Sequence, residues 1–167
     1  MRVRKRVAAL SLVAVMAVGG MTASGCTPAN PPAATWWSWE TDSFAEYYFL
    51  NSIHSNRAFW NRHGLWVHGT LTDKARAWSN WMSAGGCGGG RQICHSVLSH
   101  GINGVVHTWT LLGENVGVGG NLEALDAAFM TSPGHAANVL DPRWTHMGVG
   151  VIKRGGTYWV TMEFMRA

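Results

Sequence analysis

The segment "THMGVGVIKRGGTYWVTMEF", residues 145–164, constrains the fold more than any other part of the chain. Two apolar runs flank Arg154-Gly155-Gly156, the pattern of two strands joined by a tight turn. This commits the C-terminal end to an antiparallel hairpin. A further strand is expected at "LLGENVGVGG", residues 111–120. Its glycines leave room for close approach of another backbone or of a ligand.

Helical signals fill the rest. In "SFAEYYFLNSIHSNRAFWNRHGL", Ser43 and Glu46 have the spacing of a capping box, and Gly64 suggests the stop. Phe44, Tyr47, Tyr48, Leu50, Ile53 and Ala58 predict a broad apolar face. In "LTDKARAWSNWMSAGG", Thr72 is the expected cap and Gly85 the expected end, with Leu71, Ala75, Trp78 and Met82 on one face. Asn121 is the expected cap of "LEALDAAFMT", which turns Leu122, Leu125, Ala128 and Phe129 inward. A short helix should follow from Ser132 to Leu140. Ser132 is its expected cap and Pro133 its first residue, where a missing N–H costs nothing. His135 then falls in the first turn, where the helix dipole disfavours a second proton on the imidazole. Three or four helices and at least three strands, with a hairpin last, give an α+β fold with helices packed on a largely antiparallel sheet.

The formal charge of +4 misleads. Arg2, Arg4, Lys5 and Arg6 precede an apolar run from Val7 to Val18 and the small residues of "MTASGC". This is the pattern of an export signal over residues 1–26. Its apolar stretch is shorter than the ~20 residues that a bilayer-spanning helix needs. Of 13 Lys+Arg, removing those four leaves 9, against 9 Asp+Glu. The remainder is near neutral, with no basic footprint for nucleic acid. "Ala-Ser-Gly-Cys" resembles a lipobox, which would lipidate Cys26; ordinary cleavage nearby and free secretion is the alternative. A membrane would be met only through such an anchor. Residues 27–40 read as a Pro/Ala-rich linker and residues 41–167 as the folded domain.

In an exported protein, Cys87 and Cys94 of "CGGGRQIC" are expected to pair across a glycine-rich loop. A zinc site with no second cysteine pair is the poorer reading. The motifs GxxxxGK[ST], HExxH and GxSxG are absent.

Four stretches remain: "CHSVLSH", "GENVGVGG", "SPGHAANVL" and "HMGVGV". In this order they resemble the CAP superfamily, which includes cysteine-rich secretory, antigen 5 and pathogenesis-related 1 proteins, and its bacterial extracytoplasmic branch most. The resemblance spans roughly Phe44 to Phe164. It implies an α/β/α three-layer sandwich with a cleft holding two histidines and two acidic residues. The matching residues are His95, Glu114 and His135, with Ser132 at the second acidic position. His100 and His107 lie in the same loop as His95 and compete for its role. His54, His63, His68 and His146 are read as ordinary surface or core histidines.

Two imidazoles with a carboxylate nearby suit Zn²⁺ or a similar divalent ion. The expected set is His95, His135 and Glu114, binding weakly unless Glu114 joins. The leading expectation is an exported, monomeric, non-enzymatic protein that binds a small apolar or lipid-like ligand or a cell-envelope component. A metal- or His/Glu-assisted hydrolase is the rival, and a purely structural envelope domain the third reading.

Overall fold

The computed structural model describes residues 41–167. The expected export signal, Cys26 and the expected linker lie outside the described residues. The elements are α1 (Ser43–Phe59), β1 (Trp66–Val67), α2 (Gly69–Ser83), β2 (Leu111–Gly119), α3 (Leu122–Thr131), α4 (Pro133–Leu140), β3 (His146–Arg154) and β4 (Thr157–Arg166). The strands form one sheet in the order β1-β3-β4-β2. β1 runs parallel to β3; the other pairings are antiparallel. The expected hairpin is β3–β4, and its turn residues Gly155 and Gly156 have φ of 54° and 73°. A two-residue hairpin turn needs that left-handed backbone, which glycine adopts without strain.

Alternation along the strands sorts side chains onto two faces. Val160, Met162 and Phe164 of β4 join Val149 and Val151 of β3 in a core with Phe49 and Ile53 of α1, Leu125 and Phe129 of α3 and Val139 of α4. The opposite face of the sheet carries α2. There Leu71 packs with Leu112 and Met165, while Trp78 and Met82 pack with Val116 and Trp159. Helices thus cover both faces, giving the three-layer α+β arrangement. Gly148 and Gly150 explain how closely α2 sits. A Cβ on Gly150 would lie 2.1 Å from Arg76 N, and one on Gly148 2.3 Å from Thr72 N. The close backbone approach therefore occurs at "HMGVGV". In β2 the space beside Gly117 is filled by the Phe129 ring, and that beside Gly113 by Trp144.

Element ends differ from expectation where distant residues intervene. α1 is capped by Asp42, whose carboxylate accepts from Ala45 N at 2.9 Å. Glu46 makes no capping box, because its carboxylate receives both Nε and Nη2 of Arg76, thirty residues on. The buried stripe of α1 is Ala45, Phe49, Ile53 and Arg57; Phe44 and Tyr47 face solvent. The helix stops at Phe59, ahead of Gly64, and Asn61 turns the chain with φ of 53°. Arg57 is fully buried and donates to the carbonyls of His63, Val139 and Asp141, tying the end of α1 to the end of α4. α2 starts at Gly69, a turn ahead of Thr72. Asn121 caps α3 by accepting from Ala124 N. Ala128 of α3 is exposed. Of the tryptophans, Trp78, Trp109, Trp144 and Trp159 are buried, whereas Trp60 and Trp66 are exposed. No helix among the described residues is long and apolar enough to cross a membrane.

Candidate functional site

β2 is an edge strand, so both faces of the sheet can be reached around it. Glu114 and Asn115 are neighbours on β2 and point to opposite faces. Glu114 meets Lys74 of α2, and Asn115 meets α4. Two histidines approach this strand from the two sides.

The first comes from the irregular segment between α2 and β2. Cys87 and Cys94 form the expected disulfide, and Trp78 Nε1 donates to Cys94 O at 2.8 Å. Together these fasten the loop against α2. His95 follows, and its Nδ1 lies 2.8 Å from Glu114 Oε1. Ser96 N donates to the same oxygen at 2.9 Å, and Ser96 Oγ donates to Oε2 at 2.5 Å. Burial pushes the Glu114 carboxyl up. The charge of Lys74 and the hydrogen bonds from His95 and Ser96 outweigh it and hold the group at about 2. An ionised carboxylate accepts, so His95 Nδ1 carries a proton and Nε2 is the ring nitrogen turned away from Glu114. The His95 side chain is 31% exposed, against 1% for Glu114. His100 and His107 are both exposed on turns; His95 is the member of the trio bonded to Glu114.

The second histidine is the third residue of α4. Asn115 Nδ2 donates to His135 O at 3.0 Å, and Asn138 Nδ2 donates to Asn115 Oδ1 and Glu114 O. These bonds seat α4 against β2. The His135 ring stands edge-on to Phe129, 5.2 Å between centroids. Burial lowers its pKa, and the charge of His95 lowers it further. The imidazole is therefore held neutral, and the two histidines are near enough to sense each other.

Ser132 precedes α4 as expected, but its hydroxyl makes no capping bond. It is buried, and Oγ has no hydrogen-bond partner among the described residues. The helix instead relies on Pro133 and on the Ser132 carbonyl, which accepts from Ala136 N.

Glu114 is spent on His95, Ser96 and Lys74. Among the described residues no group of three or more His, Cys, Asp or Glu is placed to hold a metal ion. Zinc sites use three or four protein ligands. Here a cation would find two imidazoles, and these residues do not fit a resident metal.

Two participants escaped the sequence reading. Lys74 Nζ donates to Ser96 Oγ at 2.6 Å and to Glu163, and lies 3.5 Å from Glu114. Desolvation opposes its charge, but the two glutamates raise its pKa, so the ammonium persists. Burial and the Glu114 charge push Glu163 well above the usual carboxylate range, against the pull of Lys74. Glu163 thus gives up its charge more readily than Glu114 does. A charged residue inside an otherwise apolar stripe was the available signal: Lys74 sits between Leu71 and Trp78 on the inward face of α2.

The bland histidines stay bland. His63 Nε2 bonds Trp144 O, and His68 and His146 meet edge-to-face with centroids 5.6 Å apart. A separate hollow of about 310 Å³ lies further along β2, between Val118, Gly119 and Gly120 and Ala124, Leu125 and Ala128 of α3.

Solved structures share this fold at low identity. An outer surface protein of Borrelia burgdorferi matches with a TM-score of 0.66 and 16% identity, over 77% of this chain and 98% of that one. A cysteine-rich secretory protein of Staphylococcus aureus matches with a TM-score of 0.62 and 16% identity, over 77% of this chain and 40% of that one. An extracellular SCP-domain protein of Bacillus anthracis gives 0.58 and 20% identity, over 74% and 41%. The chain thus spans about two-fifths of the latter two. No curated protein matches in sequence. The model of the cysteine-rich secretory protein family, CAP, matches residues 64–164. That match takes in His95, Glu114 and His135, and the chain belongs to the CAP family.

Proposed function

We propose that this chain is an exported CAP-domain binding protein whose His95–His135 cleft holds a small apolar or lipid-like ligand or a cell-envelope component. The outer surface and extracellular relatives support the location. One observation carries the choice of binding over turnover: the state of Glu114. A carboxylate held at about 2 is a poor general base. Ser96, the nearest hydroxyl, donates to that weak base and accepts from the Lys74 ammonium, so nothing takes up its proton. When His95 is neutral, the cleft instead offers a fixed lone pair at its Nε2 beside a neutral His135. Such a surface favours a hydrogen-bond donor or a cation over a carboxylate or phosphate. An exchangeable divalent ion on the two imidazoles is compatible with this reading, and no step depends on it.

The test is native mass spectrometry of the domain purified from its envelope, for wild type and a His95→Ala/His135→Ala variant. The reading expects a co-purifying molecule that is lost from the variant. A molecule retained by the variant would place binding elsewhere, the hollow between β2 and α3 being the first site to probe. Turnover of a peptide or ester panel by wild type, abolished in the variant, would replace the reading with a hydrolase.

A further inference from the structure

Beneath His95 lies a group of charges that ligand contact does not require. The side chains of Lys74, Glu114 and Glu163 are 7%, 1% and 1% exposed. Burying an ammonium between two carboxyls is costly, and apolar side chains in such places are commonly as stable. Core packing alone therefore gives no reason for Lys74. Its contacts do. The three N–H donors of Lys74 face Ser96 Oγ, Glu163 Oε1 and Glu114 Oε2.

We propose that Lys74 is a positioning residue of the cleft: by fixing Ser96 Oγ and Glu114 Oε2, it aims Glu114 Oε1 at His95 Nδ1 and leaves Nε2 as the atom offered to a ligand. Both oxygens of Glu114 are engaged. Oε1 takes His95 Nδ1 and Ser96 N, and Oε2 takes Ser96 Oγ and faces Lys74. The carboxylate cannot rotate without breaking the set. A carboxylate held this way fixes both the ring orientation and the tautomer of its histidine. Glu163 stands opposite Glu114 in the β2–β4 register and holds Lys74 from the neighbouring strand. The geometry does not depend on which ligand the cleft takes.

The experiment is nitrogen-15 NMR of His95 in the ligand-free protein at mildly alkaline pH. It compares wild type with a Lys74→Met/Glu163→Met variant, which removes both members of the buried pair so that neither is stranded. The expected result is a single Nδ1–H tautomer in wild type and a mixture with an evident Nε2–H population in the variant. An Nε2–H form in wild type overturns the proposal, and so does a variant that keeps the Nδ1–H form alone. Should the double variant not fold, Ser96→Ala breaks the bridge and leaves the pair in place; an unchanged tautomer there overturns it equally. No ligand is present, so failure of the cleft to bind anything leaves this result standing.

Discussion

Glu114 and Glu163 stand directly opposite each other across β2 and β4, and one ammonium, that of Lys74, serves both. Two carboxylates in a dry site with a single cation do not both ionise. Glu114 collects the other donors and is held low; Glu163 is pushed the other way by burial and by the Glu114 charge.

The pH dependence of stability follows from that division. Glu114 falls from an ordinary 4.5 to about 2 on folding. Its contribution is present above 4.5 and is lost as pH falls toward 2. Glu163 is raised above 4.5, so its contribution is present below 4.5 and is lost as pH climbs through the raised value. Glu163→Gln keeps the neutral shape and removes the second titration. Urea midpoints against pH should fall away less steeply above 4.5 in the variant than in wild type. Identical slopes would show that Glu163 is ionised in the fold.

Gly150→Ala tests the seat of α2. The added Cβ would meet Arg76 N at 2.1 Å and Ala75 C at 2.3 Å, both backbone atoms of a helix. Overpacking costs about 1–3 kcal/mol where side chains can yield. Here the helix itself must lift, so the loss should reach the top of that range or pass it. Denaturant unfolding measures it, and a loss under ~1 kcal/mol would mean that α2 sits further from β3.

Ser132→Ala should be nearly silent. Serine caps that bond the helix are worth about 1 kcal/mol, but Ser132 Oγ makes no such bond. The expected change is within ~0.5 kcal/mol by thermal or urea unfolding. A larger loss would reveal a partner for the hydroxyl.

Calorimetry with zinc should give weak binding to wild type, far short of the ~10–16 kcal/mol of structural zinc sites. His135→Ala should abolish the heat, because one imidazole remains. Equal heats for the two proteins would remove the pair as a cation site.

What the sequence disclosed depended on how many structural partners a residue has. The inward stripe of α2 was legible because Leu71, Ala75, Trp78 and Met82 repeat at helical spacing against polar neighbours. The stripe of α1 was not, because Phe44, Tyr47 and Tyr48 surround the true line of Ala45, Phe49 and Ile53 with equally apolar side chains. The capping box at Ser43 failed through a competitor: Arg76 claims Glu46 from the next helix. His95, Glu114 and His135 were legible as parts of ordered motifs. Lys74 left one signal, its place in the apolar stripe of α2, and a lysine in "TDKAR" blurs it by reading equally as a solvent residue until α2 is known to lie on β4. Glu163 shares the α2-facing side of β4 with Thr161 and Met165, and a carboxyl on a strand covered on both sides is the trace it left in the sequence.

His135 and His95 owe their order to different sources. His135 rides on a helix rooted in the main core, and its place is secured by the same packing that secures the fold. His95 belongs to a span with no helix or strand of its own, held by one covalent crosslink, a few polar contacts and the buried side chains of Ile102, Val106 and Trp109 packed with Leu71, Leu112 and Met165. Opening the Cys87–Cys94 crosslink should therefore loosen the segment that carries His95 while leaving His135 in place. One histidine thus answers to the redox state of its surroundings and the other does not.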